Sequence, residues 1–397
     1  MKVSPADRTL SVQEYYFSQK LRQIDQMRKA GASIISLGIG SPDQAPSENT
    51  VKRLIDESTK STSHGYQSYI GIPELRNAFA GWYKKYFGVE LNPDDEILPL
   101  MGSKEGIMHI SMAFVNQGDE VLIPDPGYPT YSSVTNLVGG KIRYYDLDEK
   151  TGWMPDLLAL ERSDLSMVKL MWVNYPHMPT GTPGSIKLFE NLVAFANRHS
   201  ILLCNDNPYS FILNRNYHSL LAVDGAKEVA LELNSLSKSH NMAGWRIGMV
   251  AGHSEYLKSI LRVKSNMDSG MFLPVQKAAV EALSNPPEWY DQINLVYKKR
   301  RKTVEEIMDI LGCRYDKNQV GLFLWGRIPE SVASCEEYVE AILNEAGVFI
   351  TPGFIFGSRG ERYIRISLCA SEDLLEEAKR RISSYADSVN LKSSSKK

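Results

Sequence analysis

The chain has 397 residues, 43% of them hydrophobic and 23% charged. It can therefore bury a substantial core and has room for two domains, or for one large domain with a smaller lobe. A formal net charge of -2 implies no nucleic-acid or membrane partner, and no apolar run is long enough to span a bilayer. The four cysteines (Cys204, Cys313, Cys335, Cys369) form no close pair, which excludes a zinc or dithiol motif and leaves metal binding unsupported. With no secretory apolar segment at the start, they read as reduced thiols of a cytoplasmic protein.

In chain order, a first helix is predicted around Tyr15, Tyr16 and Phe17. Short apolar or β-branched runs come next at 96–100, 120–123, 168–173, 201–204, 229–233 and 246–251, each read as a strand. Helical spacing of apolar residues fills 104–115 and 186–198. This alternation predicts an α/β domain with a sheet covered by helices on both faces. After about 285 the pattern changes. A long charged helix at 287–311 leads to a strand at 321–325, a helix at 334–346, a strand at 363–368 and a final helix at 372–385. That is a smaller α+β lobe. The polar tail at 391–397 reads as a frayed terminus rather than a binding arm.

Several predicted strands end in polar or Gly/Pro-rich turns, and open α/β sheets bind ligands beyond their strand ends. Gly102-Ser103-Lys104-Glu105-Gly106 joins a strand to a helix, where free N–H groups and the dipole suit an anion. Ser103 also suits a plain N-cap. Tyr128, on the turn Pro124-Asp125-Pro126-Gly127-Tyr128-Pro129, can stack on a flat heteroaromatic ring. Asp206 closes a buried-looking strand and needs a partner, such as a pyridinium nitrogen, or else it caps a turn with Asn205 and Asn207. Tyr209 lies just beyond it and can donate to a phenolate oxygen. Lys238 stands in Ser235-Leu236-Ser237-Lys238-Ser239, upstream of Gly244-Trp245-Arg246-Ile247-Gly248. A lysine framed by serines and trailed by an arginine can form a Schiff base with a carbonyl cofactor and hold a phosphate beside it. Pyridoxal 5'-phosphate needs both. Arg365, inside an apolar strand, requires an anion: a substrate carboxylate suits its planar fork, and a structural ion pair is the ordinary alternative.

Taken in this order, these motifs resemble the fold-type I pyridoxal-phosphate enzymes of the class I/II aminotransferase family. The likeness runs from Ile35-Ser36-Leu37-Gly38-Ile39-Gly40 to Tyr363-Ile364-Arg365-Ile366-Ser367-Leu368. It is nearest to the aspartate, alanine and diaminopimelate-type enzymes, and Gly102-Ser103-Lys104-Glu105-Gly106 looks most like the last. The resemblance implies a large cofactor domain at 46–284, with a mixed, mostly parallel seven-stranded sheet between helices. A small α+β domain would combine 1–45 with 285–397. It also implies a homodimer that exchanges the amino group of an L-amino acid with a 2-oxo acid by ping-pong half-reactions.

By the same resemblance Lys238 is the Schiff-base lysine and proton shuttle, Asp206 the partner of the pyridinium nitrogen, Tyr209 the phenolate donor and Tyr128 the stacking ring. Ser103, Lys104, Ser235 and Arg246 form the phosphate cup, and Tyr66 reaches the phosphate of the neighbouring subunit's cofactor. Arg365 clamps the substrate carboxylate, while Gly40 lies in the loop that closes over the substrate. In this family an N-terminal helix often lies over the site mouth, so Tyr15, Tyr16 and Phe17 either favour aromatic or apolar substrates or simply pack that helix. One position departs: Met178 stands in Asn174-Tyr175-Pro176-His177-Met178-Pro179-Thr180-Gly181 where the family has an asparagine that donates to the phenolate oxygen. A thioether cannot donate. The Schiff base is therefore expected to hold its proton to higher pH, with Asn174 or a water as a substitute donor. A carbon–sulfur β-lyase on the same scaffold is the alternative enzyme. A DNA-binding regulator would need a helix-turn-helix module that the residues before Gly40 do not suggest.

Overall fold

The structure, a computed structural model, describes residues 3–394 apart from Gln13 and Tyr15. Its strands in chain order are β1 (Ile35–Ser36), β2 (Ile97–Leu100), β3 (Glu120–Asp125), β4 (Lys141–Asp146), β5 (Val168–Val173) and β6 (Leu202–Asp206). They continue with β7 (Ala230–Ser235), β8 (Gly248–Gly252), β9 (Phe323–Arg327), β10 (Val348–Phe349), β11 (Thr351–Pro352) and β12 (Tyr363–Ser367). Seven of them form one sheet in the order β2-β8-β7-β6-β5-β3-β4. All pairings from β4 to β7 are parallel, and only β8 runs against its two neighbours.

Alternation along these strands feeds two separate cores. Val121, Ile123, Leu202, Cys204, Leu231 and Leu233 face one. Their neighbours Leu122, Leu203 and Ala230 face the other, packed under the helices Pro73–Phe87 and Ile186–His199. The period of two thus puts both faces of the sheet under helices, as expected of a parallel sheet.

Three of the departures from the pattern the sequence predicts have a plain cause. β4 carries no strand signal, because Lys-Ile-Arg-Tyr-Tyr-Asp at an exposed sheet edge holds charges rather than an apolar run. The run at 246–251 contributes β8 only from Gly248, because Arg246 has φ 57° and turns the chain before the strand starts. The final helix, Glu372–Ser394, carries into the tail at 391–394, so that part is not frayed, and 395–397 lie outside the described residues.

The remaining strands make a three-stranded antiparallel sheet, β11-β12-β9, and the short parallel pair β1-β10. Ile35 and Leu37 share a core with Tyr297, Leu324, Ile364 and Ile382, so the N-terminal segment packs on the C-terminal lobe. The stretch after β1 is held from both sides: Ser367 Oγ donates to the carbonyl of Ile39, Asn241 Nδ2 to that of Ala45, and Arg300 grips Asp43 at 2.6 and 2.8 Å.

Candidate active site

β3, β5, β6 and β7 are parallel, so their C-terminal ends open on one edge of the sheet. There lies a cavity of about 410 Å³, lined by Ser103, Lys104, Tyr128, Asn174, Asp206, Tyr209, Ser235, Lys238, Arg246, Gly40 and Arg365 together with Met178. The sequence-derived candidates, from 40 to 365, therefore converge on one chamber. Tyr66 is the exception: it is not on this wall and is 93% exposed.

Asp206 forms the floor. It is the last residue of β6, 5% exposed, and its Oδ2 accepts a hydrogen bond from Tyr131 Oη at 3.2 Å. Its Oδ1 is buried with no hydrogen-bond partner among the described residues. Burial pushes the carboxyl up to about 6, against the opposing pull of the nearby Tyr131 and Ser103 hydroxyls and the Lys238 charge. Tyr131 is fixed by stacking on Trp172, with ring centroids 5.0 Å apart and planes 5° from parallel. Neither Tyr131 nor Trp172 stands out in the sequence, since a buried aromatic in an apolar run carries no signal of its own.

Lys238 lies on the short helix Leu236–Ser239, whose N-cap is Ser235. The Ser235 oxygen accepts from the Ser237 N–H at 3.1 Å, and its hydroxyl reaches Ser237 Oγ at 2.8 Å. Ser237, which also lines the cavity, is thereby tied to the same turn. Lys238 Nζ donates to the carbonyl of Gly40 at 2.5 Å. Desolvation lowers its pKa, with Arg365 and Arg246 adding repulsion. A depressed lysine is a better nucleophile at neutral pH.

One end of the chamber gathers cationic and hydroxyl groups. Gly102, not Ser103, caps the helix Ser103–Phe114, and its φ of 86° suits glycine. A Cβ at Gly102 would lie 2.2 Å from Arg246 Nη2, so the glycine lets the guanidinium close onto the helix start. Burial and Arg246 lower the pKa of Lys104, as expected where two cations share a small space.

Another part of the wall is built around Arg365 on β12, 4% exposed. Its Nη2 donates to the carbonyl of Gly38 at 2.9 Å and its Nη1 to Met178 Sδ at 3.2 Å. Its Cζ lies 3.8 Å from the Phe323 ring centroid, 4.6 Å from Phe356 and 5.6 Å from Phe17. Gly40 sits directly on Phe323, where a Cβ would meet the ring at 2.2 Å. Asn174 holds this region together: its Oδ1 accepts from the Met178 N–H at 2.9 Å and its Nδ2 donates to the Asp206 carbonyl. Tyr209 packs edge-on against Phe323 at 6.0 Å, and burial raises its hydroxyl pKa, which keeps it a neutral donor.

The chemistry of this donor set fits pyridoxal phosphate. A buried unpartnered carboxylate oxygen suits a ring N–H, a desolvated amine suits a carbonyl, and the Ser103–Lys104–Arg246 end suits a phosphate.

Comparison with known proteins agrees. Residues 32–382 match the family described as aminotransferase class I and II. The chain is 40% identical over 382 residues to the LL-diaminopimelate aminotransferase of Natranaerobius thermophilus, covering 96% of this chain and 99% of that protein. It is 38% identical over 379 residues to the enzyme of the same name from Halothermothrix orenii, covering 95% and 97%. Among solved structures, substrate-bound BacF from Bacillus subtilis superposes with a TM-score of 0.91 at 32% identity, covering 97% of this chain and 98% of that one.

Proposed function

The chain belongs to the class I and II aminotransferases, and on that premise we propose how its own residues carry out the transfer of an amino group between an L-amino acid and a 2-oxo acid. The enzyme depends on pyridoxal phosphate, which supplies a carbonyl to take up the amine and a ring to accept the electrons released at the substrate α-carbon. The observation that carries the assignment of roles is the buried Asp206 carboxylate, its Oδ1 without a hydrogen-bond partner among the described residues, in the lining of the same cavity as Lys238.

Lys238 would hold the cofactor carbonyl through Nζ, and its amine would move the proton at the substrate α-carbon. Asp206 would keep the ring nitrogen protonated, Tyr209 would donate to the ring oxygen, and Tyr128 would stack on the ring. Ser103, Lys104, Ser235 and Arg246 hold the phosphate, Ser235 chiefly by fixing the turn that presents Ser237 and Lys238. Arg365 takes the α-carboxylate, and Gly40 allows the covering loop to approach Phe323. Asn174 acts as a positioning residue between Asp206 and Met178. The lobes 46–284 and 1–45 with 285–397 would meet at this cavity.

A homodimer completes this reading. Tyr66 is 93% exposed, and Tyr69, Met267 and Phe272 are further exposed apolar side chains, with His64 packed on Phe272 at 5.9 Å. A second copy would cover them and place Tyr66 at the partner's phosphate. Four buried free thiols fit the reducing cytoplasm, and no helix among the described residues is long and apolar enough to cross a membrane. The relatives named above make LL-diaminopimelate one donor to test.

The test is the absorbance of the cofactor-loaded protein as single amino acids are added without oxo acid. Stoichiometric conversion of the yellow form to the pyridoxamine form supports transamination. Persistence of the band with release of ammonia from a cysteine conjugate would instead mean elimination by a lyase.

A further inference from the structure

We infer that Asp125 is a positioning residue for the substrate carboxylate: it ties the turn 356–359 to the end of β3 and so fixes the reach between Arg365 and Lys238. The inference rests on the aminotransferase reading and deepens it.

An amino acid carries its amino group and its α-carboxylate on one carbon. It must therefore meet the Lys238 side of the cavity and Arg365 at once. Lys238, Tyr128 and Asp206 stand on the seven-stranded sheet or on the segments that follow its strands, whereas Arg365 stands on β12 of the separate three-stranded sheet. A misplacement of about 1 Å between reacting groups costs on the order of a hundredfold in rate. The two sheets need a tie close to the cavity.

Asp125 supplies one. It is the last residue of β3 and 5% exposed, and only Pro126 and Gly127 separate it from Tyr128. Its Oδ2 accepts from the Ser358 N–H at 3.0 Å and from Ser358 Oγ at 2.7 Å, and its Oδ1 accepts from the Arg359 N–H at 3.0 Å. The acceptor's charge strengthens each bond. Gly127 adds a backbone bond, donating to the Phe356 carbonyl at 2.7 Å. Gly357 lets the turn come this close. Its φ is 131°, and a Cβ there would lie 2.1 Å from Asp125 Oδ1. The ion pair of Arg359 with Asp146 joins the same two regions, but both side chains are about half exposed, so it adds little.

The turn leads straight to the guanidinium. Phe356 packs on Arg365, whose Cζ is 4.6 Å from the ring centroid. Thr351 pairs with Arg365 across β11 and β12. Thr351 Oγ1 and Arg365 Nη2 both donate to the Gly38 carbonyl, at 3.1 and 2.9 Å. A carboxylate under a turn can be a plain cap. This one holds a turn whose next residue touches the substrate-binding arginine, from a strand end that leads to Tyr128. Every contact in the chain of residues is made within one subunit, so the tie does not depend on a second copy. Without it Arg365 keeps its bonds to Gly38 and Met178, so the expected loss is about tenfold rather than a hundredfold.

The test uses the cofactor-loaded protein and two carbonyl reagents that consume its yellow form. Aminooxyacetate offers a carboxylate to Arg365, and methoxyamine is the same reagent with hydrogen in its place. The ratio of their second-order rate constants reads the Arg365 contact and cancels changes at the cofactor. Asp125→Asn keeps the shape and turns one acceptor into a donor facing N–H groups. It is expected to lower the ratio about tenfold while the methoxyamine rate changes by less than about twofold. Ser358→Ala deletes the hydroxyl bond alone and is expected to lower the ratio about threefold. In the cofactor-free protein, hydrogen exchange over 353–362 is expected to quicken at least about tenfold in D125N, with β6 and β7 unchanged. An unchanged ratio beside faster exchange overturns the inference, because the tie would then serve the fold alone. Equal falls in both rate constants overturn it, and so does unchanged exchange. Should D125N not fold, S358A decides: a lowered ratio upholds the inference and an unchanged one overturns it. A wild-type protein that gains no yellow band with pyridoxal phosphate would overturn the aminotransferase reading itself, a failure distinct from an unchanged ratio in protein that shows the band.

Discussion

Asp206→Asn separates the carboxylate's part in function from its effect on the fold. In the cofactor-free protein Asp206 is buried, with one oxygen unpartnered, and its carboxyl rises from 3.8 to about 6. A raised carboxyl is a destabilising charge: the folded state binds the proton more tightly than the unfolded chain. Below about pH 4 both states are protonated and there is no penalty. The penalty grows as pH climbs toward 6 and is complete above it. A shift of roughly two units corresponds to about 3 kcal/mol, an upper figure because asparagine buries an amide in the same place. Asparagine keeps the shape and still accepts from Tyr131. Cofactor-free D206N is therefore expected to be more stable than wild type at pH 8, by about 1–3 kcal/mol, with the gap closing toward pH 4. Chemical denaturation of both proteins across that range measures it. Adding pyridoxal phosphate should reverse the order, because the wild-type carboxylate gains a cationic partner and the amide does not. A cofactor-free D206N that is no more stable than wild type at pH 8, or a gap that does not vary with pH, would refute the account of Asp206 as a strained, waiting anion.

Arg365→Lys keeps the charge and loses the planar fork. It should raise the half-saturation for amino and oxo acids alike by at least about a hundredfold, read from the half-reaction in each direction. Met178→Asn restores a donor at the ring oxygen and should lower the pH at which the bound cofactor's absorbance titrates by about one unit. No downward shift would mean that another group already serves, and Asn174 is constrained from doing so by its bonds to Met178 and Asp206. Lys238→Ala should abolish the yellow band and the half-reaction together while leaving the circular dichroism unchanged. Glu232→Ala should lower the unfolding free energy by about 3 kcal/mol or more, because Tyr83, Asn205, Ser219 and the Leu220 N–H all donate to that buried carboxylate and would lose their acceptor.

Much of the fold and the site is legible in the amino-acid pattern. Strand periodicity and the punctuation between strands mark five of the seven sheet members close to their observed ends, because buried parallel strands must be apolar on both faces. β4 escapes because an edge strand owes its place to pairing rather than burial. Asp206 and Arg365 stand out as charges in apolar runs, and Lys238 as a lysine framed by serines ahead of an arginine. Tyr131, Trp172 and Ser237 do not, since an aromatic or a serine in such runs is ordinary.

The sequence by itself determined most element types, the family and the principal charged groups of the site, since each depends on local pattern and residue chemistry. Tertiary structure alone decided which partner each group received. Met178 meets Arg365 across 187 residues, Lys238 meets Gly40 across 198, and Tyr131 meets Asp206 across 75. It also decided that Phe17 and Leu21 face the cavity, a choice the helical period leaves open. An amphipathic helix specifies its buried face, but the surface it packs on depends on Ile24, Tyr16 and Lys20 finding their partners on the distant C-terminal lobe.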